Sequence, residues 1–224
     1  MLKIAREKAI EKEKFLGLNT VYVVDDDREV RLMISYLLAG AELSSHPFAS
    51  GADFLADLNG LAPGCILLDL RMPELDGFEV MTNLARRGLE WPVVIVTGYG
   101  DVPAAVKAMK LGAIDFLEKP FKTDALLRAL DLGFALLEER REAAERKRQA
   151  RERIELLTAR ETEVLQGLLG GLSNKSLADR LGISLRTVEM HRGNMMDRLH
   201  VASLAQALTL AMEAGLAAAD VKHN

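Results

Sequence analysis

The chain has 224 residues, 49% hydrophobic and 28% charged, a composition that suits one large or two small globular domains. It holds no apolar run near the ~20 residues of a membrane span, no signal-peptide core, no Cys/His cluster of zinc spacing and a single cysteine, Cys65, so we expect a cytoplasmic protein without membrane contact or disulfide framework. The formal net charge of −4 argues against a nucleic-acid partner only as an average, because residues 19–137 carry 10 basic and 17 acidic side chains while residues 156–224 carry 7 of each.

Residues 1–18 carry 5 basic and 3 acidic side chains and read as a charged leader outside either domain. Strands and helices alternate from 19 to 137, a comfortable length for one domain. Val21–Val24 ends in three aspartates, Cys65–Leu68 in Asp69, Val93–Val96 in Thr97, and Phe116–Leu117 runs into Glu118-Lys119-Pro120. These runs are apolar without alternation, as strands buried on both faces are. A fifth strand around Leu43–Phe48 follows from its place in the alternation. Amphipathic stretches at Val30–Ala39, Gly51–Leu58, Gly77–Arg86, Pro103–Leu111 and Asp124–Leu137 lie between and after the strands. The alternation predicts a five-stranded, doubly wound parallel α/β sheet with helices on both faces.

Residues 138–155 are almost all Glu, Arg, Lys, Ala and Gln, without Gly or Pro, and read as an exposed spacer helix. The 156–224 region holds no convincing strand. Thr158 opens a helix with a capping box to Glu161, and Gly170-Gly171 can end it. Ser173 can cap Asn174–Leu181, Gly182 makes a tight turn, Ser184 caps a helix to about Leu199, and Ser203 starts a last one ending at Gly215. Two short helices joined by a glycine turn describe a helix-turn-helix.

Chemistry concentrates at the strand ends. In an open parallel sheet ligands bind beyond the carboxyl ends of the strands, so Asp25, Asp26, Asp69, Thr97 and Lys119 should converge on one edge. Three neighbouring carboxylates repel, and a hard divalent cation such as magnesium relieves the repulsion. A lysine and a hydroxyl beside that cation are groups that bind phosphoryl oxygens. The set suggests phosphoryl transfer to a carboxylate. A phosphatase using Asp-x-Asp is set aside because Arg71, not aspartate, stands two residues after Asp69.

VYVVDDD, ILLDLRMPELDGFE, VVIVTGYGD and DFLEKPF resemble the receiver domain of two-component response regulators. The resemblance implies strand order 2-1-3-4-5, Asp69 as phosphoacceptor, and a magnesium site of Asp25, Asp26, Asp69 and the backbone carbonyl of Arg71. It further implies Thr97 and Lys119 as phosphoryl contacts, Phe116 as a switch residue coupled to Thr97, and a Lys119–Pro120 bond that is often cis. The implied partner is a sensor histidine kinase, and the chain is not expected to be an enzyme.

On the Ser184-capped helix, Val188, Met195 and Leu199 share a core-facing stripe. Arg186, Met190 and Gly193 lie opposite, with Glu189 and Asn194 beside them, and Thr187, His191, Arg192 and Arg198 flank the core stripe. Such a helix offers its outer face to a major groove and its flanking cations to phosphates. If the helix docks on DNA, Lys175 and Arg192 are the candidate phosphate contacts, and Glu189 and Met190 are expected to face the bases. LTARETEVL, GLSNKSLADRLGIS and RTVEMHRGNMMDRL resemble the four-helix DNA-binding domain of the LuxR/NarL/FixJ class, and both halves resemble its FixJ-like branch. The resemblance implies double-stranded DNA as a partner and a homodimer on phosphorylation. The alternative is a constitutive protein-interaction module without phosphorylation-dependent DNA binding.

Overall fold

The computed structural model describes residues 19–98 and 101–219. The predicted 1–18 leader lies outside them. Two compact units divide between Arg140 and Arg141.

In the first unit five strands form one parallel sheet: β1 (Thr20–Val24), β2 (Ser44–Phe48), β3 (Cys65–Leu68), β4 (Val93–Thr97) and β5 (Asp115–Glu118), in the order β2-β1-β3-β4-β5. Register pairs Val24 with Leu68 and Phe48, and Leu68 with Ile95, so the carboxyl ends of the inner strands line up. The period-two side-chain alternation sorts the central strands into two apolar layers. Tyr22, Val24, Ile66, Leu68, Val93 and Ile95 face one layer with Phe54 of α2 (Gly51–Asp57), Val80 and Leu84 of α3 (Gly77–Arg86) and Ala108 of α4 (Val102–Lys110). Val21, Val23, Cys65, Leu67, Val94 and Val96 face the other, with Ile34 and Leu38 of α1 (Arg28–Gly40) and Leu126, Ala129, Leu130 and Leu137 of α5 (Thr123–Glu155). Apolar contacts on both faces explain why β1, β3 and β4 read as unbroken hydrophobic runs. Edge strand β2 is largely exposed and carries Pro47, which cannot extend a ladder and so discourages strand addition.

The first unit's helix starts are set by short polar side chains. Asp27 accepts the N–H groups of Glu29 and Val30 at the head of α1. Asp76 and Glu79 form a reciprocal capping box on α3, and Asp101 accepts from Ala104 on α4.

The second unit is helical: α6 (Ala159–Leu169), α7 (Asn174–Leu181), α8 (Leu185–Arg198) and α9 (Leu204–Ala214). Thr158, Ser173, Ser184 and Ser203 cap them as the sequence predicts, and Gly182 takes the left-handed φ of +66° that turns α7 into α8. Val164, Leu165, Leu177, Val188, Met195, Leu199, Ala207 and Ala211 make the core.

The expected spacer helix is a finding of a different kind. α5 runs unbroken to Glu155, and Ala143 and Ala144 are exposed as a spacer requires. Ala150, by contrast, is 1% exposed and packs with Ile154 into the second unit's core. Arg151 donates to the Ala214 carbonyl and Arg153 to that of Leu199. The last turns of α5 are thus a structural part of the helical unit, which local composition could not reveal because one small alanine carries the burial.

Candidate functional site

Asp25 follows β1 directly, and four contacts hold it. Its N–H donates to the Phe48 carbonyl, and its own carbonyl accepts from the Arg31 guanidinium of α1. One carboxylate oxygen accepts the Asp27 N–H at 2.9 Å, and the other accepts Lys119 Nζ at 2.6 Å. Asp69 follows β3 with the same local geometry: Oδ1 accepts the Arg71 N–H at 3.2 Å, and Oδ2 accepts Lys119 Nζ at 3.0 Å. The Lys119 ammonium, carried on the loop after β5, therefore bridges two carboxylates that are 2% and 8% exposed as residues.

Burial pushes the Asp25 carboxyl above the ordinary range, and the Lys119 and Asp27 hydrogen bonds offset this only in part. For Lys119 burial acts downward, but the hydrogen bonds and attraction of Asp25 and Asp69 outweigh it, and its pKa is raised. The raised Lys119 pKa favours its charged ammonium form between the two acidic side chains.

Asp26 is exposed, and its carboxylate lies with those of Asp25 and Asp69 so that ligand oxygens of all three fall within 4.8 Å. An all-oxygen carboxylate set with solvent access on one side fits a hard divalent cation that retains water, as magnesium does. Thr97 closes β4, fully buried, and its carbonyl accepts the Lys119 N–H at 2.8 Å. Phe116, one strand over in β5, is half-buried against the layer containing Ala104 and Ala108. The Lys119–Pro120 bond is cis. The structure thus brings Asp25, Asp26, Asp69, Thr97 and Lys119 to one edge of the sheet. Sequence reasoning missed Arg31, whose reach to the Asp25 carbonyl has no local signature.

The second candidate surface is α8. Val188, Met195 and Leu199 are fully buried, and Arg186, Glu189, Met190, Gly193 and Asn194 are exposed, as helical periodicity predicts. Thr187 is engaged with the Ser184 cap at 2.8 Å between hydroxyls, and His191 is half-buried. Arg192 is folded against α7: one guanidinium nitrogen donates to Asn174 Oδ1 at 2.8 Å, and Nε is buried without a partner. Lys175, beside Asn174 on the first turn of α7, is exposed. Arg198 pairs with the buried Glu161 of the α6 capping box at 3.1 Å. No described helix is long and apolar enough to cross a membrane.

Residues 21–131 match the response regulator receiver domain and residues 155–211 the luxR family of bacterial regulatory proteins. The transcriptional regulatory protein FixJ of Bradyrhizobium diazoefficiens is 40% identical over 196 residues, covering 88% of this chain and 96% of that one. The FixJ protein of Azorhizobium caulinodans is 42% identical over 200 residues, covering 89% and 95%. The chain belongs to the FixJ-like response regulators of the NarL/LuxR class. A low-resolution structure of the response regulator StyR superposes on this regulator with a TM-score of 0.73 at 42% identity, covering 87% of this chain and 98% of that one. The protein is therefore a two-component transcriptional regulator with a helix-turn-helix DNA-binding domain.

Proposed function

We propose that Asp69 accepts a phosphoryl group from a sensor histidine kinase, and that the modified chain dimerises and binds a two-fold-related DNA site. The observation that carries this reading is the Lys119 ammonium held 2.6 Å from Asp25 and 3.0 Å from Asp69 within the acidic cluster. In the step, an Asp69 carboxylate oxygen attacks phosphorus, the P–N bond to the kinase imidazole breaks, and its electron pair stays on that nitrogen. Lys119 then exchanges its Asp69 oxygen for a phosphoryl oxygen, and the Thr97 hydroxyl donates to another. Asp25, Asp26, Asp69 and the Arg71 backbone carbonyl would hold Mg2+, which when bound neutralises charge on the phosphoryl oxygens.

In the same reading Arg186, Glu189, Met190, Gly193 and Asn194 face the bases, while Lys175, Thr187, His191 and Arg192 lie toward the phosphates. The receiver occupies 19–137 and the DNA-binding domain 156–224, with residues 138–155 as a helical link whose last turns belong to the latter.

The test is labelling of the full chain by acetyl phosphate with magnesium. Asp69→Asn is expected to lose nearly all label, and stoichiometric label on that variant would overturn the assignment.

A further inference from the structure

One glycine stands in α8 where neither backbone conformation nor internal packing requires it. Three glycines lie inside the described helices away from their first and last residues: Gly133 in α5, Gly167 in α6 and Gly193 in α8. A Cβ on Gly133 would come within 2.6 Å of the Cys65 sulfur, and one on Gly167 within 2.3 Å of a Leu177 methyl. Those two glycines make room for neighbouring elements. A Cβ on Gly193 meets nothing within 4 Å, and its φ lies outside the left-handed region. Glycine in an exposed helix interior weakens the helix relative to alanine, because it loses more backbone freedom on folding. Among the described residues no neighbour fills the space of a Cβ, so packing does not offset that loss.

Its place on the helix is specific. Gly193 follows Met190 by three residues, Glu189 by four and Arg186 by seven, so it occupies the middle of the exposed outer face. An α-helix with its side chains is about 10–12 Å across and a major groove about 12 Å wide, so the fit leaves little slack. Where a backbone must come close to a ligand, the missing Cβ is what glycine supplies.

We propose that Gly193 is the point of closest approach of α8 to the floor of the major groove, its absent side chain setting how deeply the helix enters. The proposal rests on the reading of α8 as the DNA-facing helix and deepens it. Arg186, Glu189 and Asn194 then reach base edges that a larger residue at 193 would hold out of range.

The experiment uses the full chain, a DNA site selected by the parent protein from randomised fragments, and the variants Gly193→Ala, Gly193→Leu and Arg186→Ala. Gly193→Ala is expected to raise the melting temperature of the helical unit by a few degrees, as a better helix former does. The same variant should weaken binding to the selected site about tenfold, with Gly193→Leu weaker again and binding to unrelated DNA changed less than about twofold. Opposite signs for stability and affinity are the signature of a glycine kept for contact. If Gly193→Ala binds the selected site as tightly as the parent while Arg186→Ala is impaired, the inference fails and the reading of α8 stands. If neither substitution changes affinity, the reading of α8 fails and takes the inference with it. If the Gly193 variants alter self-association and leave DNA affinity intact, the glycine serves a second copy of the chain, and the proposal is overturned.

Discussion

On the proposed reading, the Thr97 hydroxyl links phosphoryl chemistry to assembly. It is fully buried at the end of β4, one strand away from Phe116 of β5, which is half-buried in the adjoining layer. A phosphoryl group on Asp69 would add about two negative charges and several acceptor oxygens at that edge. On the proposed reading, drawing the Thr97 hydroxyl toward it would free space for the Phe116 ring. The α4 surface nearby already exposes Val102, Val106 and Met109, an apolar face whose self-contact such a change can favour. Phosphorylation biases dimerisation only through a difference in contact energy between the two states. Thr97→Ala is therefore expected to take up phosphoryl normally yet dimerise at least about tenfold more weakly, a loss of about 1.4 kcal/mol. Sedimentation of the phosphorylated variant beside the phosphorylated parent is the check, and equal dimer constants would break the link. Arg192 carries a different lesson. It is proposed as a phosphate contact, and its guanidinium also donates to Asn174, which braces α7 against α8.

At the scale of elements, Glu161 joins three parts of the helical unit. It is 2% exposed, completes the capping box by accepting the Thr158 N–H at 2.9 Å, and pairs with Arg198 of α8. Burial alone would raise its pKa, but the Thr158 hydrogen bonds and the Arg198 charge outweigh that and hold it below the ordinary 4.5. A carboxylate depressed in the folded state adds its stability above its unfolded pKa and loses it as pH falls through the folded one. The helical unit should therefore melt lower as pH drops below about 4.5, near the ordinary glutamate value. Glu161→Gln should flatten that part of the melting-temperature profile. A profile unchanged by the substitution would remove Glu161 as its cause.

Alanines on α5 offer a sharper contrast. Ala150→Lys puts a charge into the second unit's core and is expected to cost about 3 kcal/mol or more, while Ala144→Lys should stay within about 0.5 kcal/mol. Denaturant unfolding of both variants measures the difference, and equal effects would return the whole 138–155 stretch to the status of a spacer. Helix starts were legible in the sequence because a cap is local chemistry: Thr158, Ser173, Ser184 and Ser203 each sit where a short polar side chain precedes an apolar period. The strand-end residues Asp25, Asp69, Thr97 and Lys119 were legible because parallel strands carry their ends to one edge. The reach of Arg31 to Asp25, the Asn174–Arg192 bond and the burial of Ala150 were not, since each joins residues whose partners are set by packing and have no mark in local spacing.

Charge distribution over the whole molecule bears on how its DNA binding is controlled. The acidic excess lies in 19–137, and residues 156–224 are formally neutral, so a single DNA-binding domain has no strong general attraction to phosphates. Each phosphate neutralised on B-DNA contributes about −0.9 to the slope of log affinity against log salt, so a single copy should show a shallow slope. Two copies held together double the contacts, and the first bound copy raises the effective concentration of the second at its half-site. Affinity that is poor for one domain and adequate for two is the condition under which dimerisation can act as a switch. Titration of a two-fold-related site across a salt series, with and without acetyl phosphate and magnesium, is expected to give about twice the slope for the phosphorylated chain. Its affinity at physiological salt should rise at least about a hundredfold, within the range that tethering two modules provides. Moving the half-sites apart by half a helical turn should remove most of that gain, because the second copy then faces the wrong side of the duplex. Equal slopes in the two states, or indifference to spacing, would show that phosphorylation acts within one protomer and leave the pairing mechanism without support.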